Sequence, residues 1–380
     1  MVLYELALHG NPSDQDVTEI ESCLGSIIEP FEMRLGKEIA WSVKPATTAA
    51  RQTIPMAVAY FGDTSQSDAN LKALLDQGIA IVPVVSAQSE ISSELPALLR
   101  PLNCLTIKED GALRIATALL ECVGLLPRQR RVFLSYKRDE ARQSALQLFD
   151  YLSEKVIDVF LDTHGVLPGE EFQGVLWHKL CDSDVLVMLD TPNYFDSRWT
   201  TAEYGRALAK GISILRIGWP GVNPSRRAGT AAKMELMTSD IDVGTGHLSK
   251  DALVRIGKQI EIVRGRSTAV RRLNLFRSLK RDVECIGGVV TGIGLHNAIH
   301  LALPDGTRVI AYPTIGVPTS ITLNDAMDHA AGQQVAIVFD HLGLQQQWLN
   351  HLQWLGKNIP AARWVKATEA AWTFAGWETL

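Results

Sequence analysis

Polar and charged residues gather at three places in the middle of this 380-residue chain, each directly after an apolar run. Val132-Phe133-Leu134 runs into Ser135, Tyr136, Lys137, Arg138 and Asp139. Val159-Phe160-Leu161 ends at Asp162 and the stretch THGVLPGEEF, which holds Gly169, Glu171 and Phe172. Leu186-Val187-Met188-Leu189 ends at Asp190 and TPNYFDSRWTTAEYG, which holds Trp199 and Glu203. An apolar run that breaks into mixed charge reads as a buried strand opening onto a site. Parallel sheets place their sites at the carboxyl ends of strands, so three such loops can converge on one pocket. Ser135 lacks a histidine at a plausible partner position, which argues against a serine nucleophile. His164 and His178, the nearest in sequence, read as solvated or packed.

Other chemistries find little support. Cys23, Cys104, Cys122, Cys181 and Cys285 are scattered and form no CxxC pair, so neither a zinc site nor a disulfide framework is indicated. Most sit in apolar surroundings and read as small core residues in a reducing cytosol. TGIGLHN (291–297) lacks the Lys-Ser/Thr of a P-loop and the third glycine of a dinucleotide fingerprint, and reads as a turn. A net charge of −5 gives no sequence-wide field for nucleic acid or an anionic membrane. RQRR (128–131) and RRLNLFRSLKR (271–281) are local basic runs, read as a solvated linker and a helix face, with a polyanion site as the alternative. The N-terminus shows no cleavable signal pattern and no apolar run spans a bilayer, so a cytoplasmic protein is expected.

The elements that must position these residues form three segments. In residues 1–127, MVLYELALH, IAWSVKP, PMAVAYFGD and IAIVPVVS read as strands, with helices at 14–31, 67–78 and 112–126. Residues 128–266 alternate strand 131–136, helix 139–153, strand 156–162, loop 163–169, helix 170–180, strand 184–190, helix 197–210, strand 212–217 and helix 248–265, which means a doubly wound parallel sheet. Residues 267–380 open on an amphipathic helix near Arg271. Asp305-Gly306 between two alternating runs signals a hairpin. A helix at 323–331, a strand at 334–340 and a helix at 344–355 complete a small α+β domain. Its late tryptophans, Trp348, Trp354, Trp364, Trp372 and Trp377, read mostly as core, with a ligand-reading face as the alternative.

The first two segments echo each other. KALLDQGIAIVPV (from Lys72) matches RALAKGISILRIG (from Arg206), and YFGDT matches VMLDT. Shared folding is one reading; the general likeness of βαβ units is the other. Eight residues before Gly211 stands Glu203, whereas eight before Gly78 stands Asn70.

FLSYKRD, FLDTHGVLPGEEF, SRWTTAEY and ISILRIGW, in this order, resemble a TIR (Toll/interleukin-1 receptor) domain over about residues 130–265. The resemblance implies a flavodoxin-like, doubly wound parallel sheet for this segment; the N-terminal α/β domain, TIR-like on the reading that the echo is a shared fold, and the small C-terminal α+β domain flank it. It also implies that Glu203 is the catalytic glutamate of NAD-consuming members. Breaking the nicotinamide–ribose bond creates an oxocarbenium-like cation that a carboxylate stabilises. Trp199, four residues before Glu203, shares its helix face. Tyr136 and Lys137 match positions beside the nucleotide, Asp162 and Gly169 match the covering loop, and Ser135, Arg138 and Phe172 complete the substrate-binding set. The aromatic expected two residues past the loop glycine is replaced by Glu171, with Phe172 next. Otherwise Trp199 is a packed indole, Glu203 a solvated carboxylate, Asp162 a loop cap and Lys137 with Arg138 surface charge. NAD is expected as substrate, with no metal or further cofactor. Self-association into an oligomer or filament and a small-molecule or protein trigger are the expected partners, in an immune role against phage. A non-enzymatic scaffold and a nucleoside-processing enzyme remain the other readings. Glu203 is expected at an exposed loop edge, removable at little cost to the fold.

Overall fold

The chain is described by a computed structural model over residues 2–31, 33–45, 54–63, 68–125, 130–155, 157–161, 172–330 and 332–377. It divides into two compact units. One comprises Met1–Arg128, Arg272–His341 and Asn350–Leu380; the other comprises Gln129–Arg271 and Leu342–Leu349.

The first unit begins with β1 (Tyr4–Gly10), α1 (Asp14–Ile28), β2 (Ile39–Val43), β3 (Met56–Phe61), α2 (Asp68–Asp76), β4 (Ala80–Val85), α3 (Ile91–Glu94), β5 (Leu105–Thr106) and α4 (Ile107–Val123). Ser13 caps α1 by accepting from the Asp16 N–H at 3.1 Å, while the Asp16 carboxylate accepts from the Ser13 N–H at 3.0 Å. The strands are all parallel, in the order β2-β1-β3-β4-β5. β3 and β4 are buried along their whole length, as strands apolar on both faces must be.

The second unit contains β6 (Arg130–Ser135), α5 (Arg138–Glu154), β7 (Ile157–Leu161), α6 (Phe172–Cys181), β8 (Val185–Asp190), α7 (Arg198–Ala209), β9 (Ser213–Gly218) and β10 (Ala232–Glu235). Its sheet is again all parallel, in the order β10-β9-β8-β6-β7. Numbered within each sheet, both run 2-1-3-4-5. In this doubly wound order the winding reverses between the first and third strands, here between β6 and β8. Gly78 and Gly211, the paired glycines of the echo, take the same left-handed turn after their helices, at φ +76° and +68°.

α8 (Lys250–Cys285) corrects the expectation of two helices, one at 248–265 and one from Arg271. No proline or glycine pair interrupts the joining residues, and the lone Gly265 is tolerated at about 1 kcal/mol. β11 (Val289–Ile293), β12 (Ile299–Ala302), β13 (Arg308–Thr314), α9 (Ser320–His329), β14 (Gln334–Phe339), α10 (Gln346–Asn358), β15 (Ala362–Lys366) and α11 (Ala370–Ala375) follow. β12 and β13 form the antiparallel hairpin that Asp305-Gly306 signals, and β13, β14 and β15 pair in parallel. The tryptophan-rich tail corrects a second expectation. Trp377 is core, stacked on Phe374 at 5.3 Å, but Trp354 and Trp372 are 60% and 86% exposed. The linker reading of RQRR fails for its last two residues: Arg130 opens β6 in a buried position 3.4 Å from Glu261, and Arg131 pairs with Asp182 at 2.5 Å, while Arg128 and Gln129 lie outside the described residues. Among the described residues no helix is long and apolar enough to cross a membrane, and no group of histidine, cysteine and acidic residues is arranged to hold a metal.

The sheet of the second unit packs a core on each face. Val132, Leu134 and Tyr136 join α5 and α8, whereas Phe133 joins α6, α7 and Tyr194. Two polar ties brace the carboxyl ends of its strands. Arg216 of β9, wholly buried, donates to Asp190 of β8 at 2.5 Å and to Glu235 of β10. Glu140 of α5 accepts from the side chain and backbone N–H of Asn193, at 2.5 and 3.2 Å, and from Lys137 at 3.2 Å. Burial opposes ionisation of Glu140, yet hydrogen bonds from Thr191, Asn193 and Lys137 outweigh it and hold the carboxyl down at about 2.

Removing Arg216 strands a buried carboxylate. Arg216→Met is expected to cost about 3–5 kcal/mol, read as a lowered urea midpoint. Glu140 is ionised more readily folded than unfolded, so its contribution is full above about pH 4.5 and is lost as pH falls toward 2. Glu140→Gln is therefore expected to lower stability by about 2 kcal/mol at pH 7, and the gap to the natural chain closes between pH 4.5 and 2 in denaturant titrations.

Candidate functional site

Ser135 ends β6 and Asp190 ends β8, so these two residues flank the point where the winding reverses. After β8 the chain makes a single 3-10 turn, Tyr194–Asp196, and enters α7. Ser197 caps that helix by accepting from the Trp199 N–H at 3.3 Å. The cap fixes the start of α7 and so sets the height of Glu203, its sixth residue.

Glu203 is 4% exposed, which corrects the expectation of a solvated loop-edge carboxylate. Its Oε2 accepts from the Ser135 hydroxyl. The same Ser135 Oγ lies 2.6 Å from the Tyr194 hydroxyl. The three side chains come from a strand end, a turn and a helix, and they meet only because β6 and β8 are neighbours. Tyr194 is held from several sides. Its N–H donates to the Thr191 carbonyl at 3.1 Å, its own carbonyl accepts from the Thr200 hydroxyl, and its ring meets Phe195 edge-to-face at 5.1 Å. Burial pushes the Tyr194 hydroxyl well above its usual pKa; the nearby Glu203 charge adds to this, against the hydrogen bond with Ser135.

The other expected residues are distributed as follows. Tyr136 is buried in the core on the α5–α8 face, opposite to the face where Phe133 packs against α6 and α7. Lys137 precedes α5 and is engaged by Glu140, and Arg138 is exposed on the first turn of that helix. Trp199 is half-buried one turn before Glu203, with the Arg198 guanidinium 4.7 Å above its ring. Phe172 is the first residue of α6, but its side chain lies outside the described residues, as do Asp162, His164, Gly169 and Glu171.

Sequence reasoning passed over Tyr194, Glu140 and Arg216. Tyr194 was visible only as an aromatic in a polar loop, TPNYFDS, and nothing local ties it to Ser135, 59 residues earlier. Arg216 carried a stronger signal, since a lone arginine inside the apolar run ISILRIG must find buried acceptors.

Chemically, the site offers one buried carboxylate at the carboxyl edge of a parallel sheet, with hydroxyl donors behind it. A preorganised charge of this kind stabilises positive charge that develops beside it. In the N-terminal sheet the corresponding residue, Asn70, is uncharged and exposed.

No curated protein matches the chain. Among solved structures, the TIR domains of the activated Roq1 resistosome that directly recognises the pathogen effector XopQ match at 18% identity, over 38% of this chain and 84% of that chain, with a TM-score of 0.25. Tagatose-6-phosphate ketose/aldose isomerase from Escherichia coli matches at 10% identity, over 70% of this chain and 82% of that chain, with a TM-score of 0.22. Both TM-scores are too low to compare how the elements are arranged. The model of one family, the TIR domain, matches residues 132–233 and leaves the first and third sheets outside it. The segment that carries Ser135, Tyr194 and Glu203 on its flavodoxin-like sheet is a TIR domain.

Proposed function

We propose that the TIR domain cleaves NAD at the nicotinamide–ribose bond, with Glu203 as the catalytic carboxylate. The observation that carries this reading is the buried Glu203 side chain at the switch point between β6 and β8, inside the segment that matches the TIR family. As the bond between ribose C1′ and the nicotinamide nitrogen breaks, its electron pair leaves with nicotinamide, which departs as a neutral base. No strong general acid is required. Positive charge spreads over C1′ and the ring oxygen, and the Glu203 carboxylate stabilises it. Water then bonds to C1′ and loses a proton, giving ADP-ribose; capture by the substrate's own adenine gives a cyclic isomer instead.

NAD loss on this scale is toxic to the cell that makes the enzyme, so activity is expected only when copies self-associate in response to a small-molecule or protein trigger. Antiphage defence is the setting that suits such a device. The two flanking sheets are the candidates for sensing and pairing.

Nicotinamide release by the full chain, followed by chromatography over a wide range of protein concentration, tests this. The rate is expected to rise faster than linearly with concentration. Glu203→Gln, which keeps the shape and a hydrogen-bonding group in a buried position, is expected to lower it about 10²–10³-fold while the folded state persists. Glu203→Ala is the poorer probe, because burial means it leaves a hole beside Ser135. No release at any concentration, with or without added phage-infected extract, would favour a non-enzymatic scaffold.

A further inference from the structure

Ser135 was expected to touch substrate, yet its side chain is 1% exposed and is bonded to Glu203 and Tyr194. Each hydroxyl has one proton to give. The Ser135 hydroxyl donates its proton to Glu203 Oε2. Its oxygen is then left to accept, and Tyr194 must be the donor. The high pKa of Tyr194 keeps that proton in place across the working range. The order Tyr194 hydroxyl, Ser135 hydroxyl, Glu203 carboxyl thus follows from the Ser135 bond to Glu203, and each donor polarises the next.

We propose, on the basis of the NAD-cleaving reading above, that Ser135 backed by Tyr194 is a positioning pair that holds the Glu203 carboxylate ionised and fixed in one orientation. A buried carboxylate without donors takes up a proton and loses the charge that the reaction needs. The pair answers that need from within the protein, without occupying the substrate. Its charged and titratable neighbours have partners of their own. Asp190 faces Tyr194 but is tied to Arg216, and through it to Glu235. Tyr204, on α7 itself, also acts on Tyr194, while its hydroxyl donates to the Arg227 carbonyl at 2.8 Å. Lys137 and Glu140 pair with each other at the start of α5.

The test compares the natural chain with Ser135→Ala, Tyr194→Phe and the double variant. Two quantities are read: the acid limb of kcat/KM for nicotinamide release, and the carbon-13 carboxyl titration of Glu203, identified by its absence in Glu203→Gln. Ser135→Ala is expected to raise the Glu203 midpoint by about one pH unit or more, a tenfold weakening of ionisation. Tyr194→Phe keeps the ring and its packing, and is expected to shift the midpoint the same way by less. The double variant is expected to shift no further than Ser135→Ala, because Tyr194 acts through Ser135. KM stays near its natural value while kcat at neutral pH falls. Three results would overturn the proposal: an unmoved midpoint in Tyr194→Phe, shifts that add in the double variant, or a raised KM with an unmoved midpoint, which would return Ser135 to direct substrate contact. A natural chain that releases no nicotinamide defeats the NAD reading instead, and the carboxyl titration still decides the role of the pair.

Discussion

A carboxylate taken out of water must be given donors or it ceases to be a carboxylate. That constraint organises the middle of this chain. Glu203 is nearly inaccessible, and a donor that it meets comes from a strand 68 residues earlier. Only a parallel sheet that places β6 beside β8 can bring the end of one strand under the helix that follows the other. The fold is therefore not a neutral support for the site. Its winding order sets which residues can share a hydrogen bond, and the ion pair of Arg216 with Asp190 keeps the ends of β8 and β9 in step.

The N-terminal sheet shows what the same winding looks like without that constraint. It has the same order, the same all-parallel pairing and the same left-handed glycine before its fourth strand. At the position of Glu203 it has Asn70, exposed on a helix whose buried face is Leu71, Leu74 and Leu75. No charge is buried there, so no donor need be brought to it. The likeness lies in the backbone and the difference in one side chain with its supports, which is how a shared fold comes to hold unlike functions.

Much of this was legible in the amino-acid order, and the reasons it was so are local. β3, β4 and all of β8 before its terminal Asp190 are apolar, and the Asp305-Gly306 turn needs only its own two residues. The capping box at Ser13 spans four residues. What escaped depends on partners far along the chain. β10, with the sequence AKME, has no apolar run and becomes a strand only because β9 offers it an edge. α8 runs on past the expected break because helix propensity alone does not mark an end. Trp354 and Trp372 looked like core by type, but α10 buries Leu352 and α11 buries Ala370 and Phe374, and exposure is decided by which face a neighbour covers. Ser135 was visible as a polar group at a strand end and Glu203 as one on the helix after β8. That Glu203 is buried, and that Tyr194 completes the chain behind it, follows from packing between elements.

The alternation of a strand explains why neighbouring residues in FLSYK have such different surroundings. Successive side chains point to opposite faces of the sheet. Phe133 therefore packs with α6 and α7, and Ser135, two residues on, reaches Glu203 on the same side. Tyr136 is sent to the other face and packs with α5 and α8. A shift of one residue in β6 would exchange the two, placing a phenol ring where a small hydroxyl now fits between Tyr194 and Glu203. The register of β6 against β8, Val132 opposite Val185 through Ser135 opposite Met188, is thus as necessary to the carboxylate as the carboxylate's own position on α7.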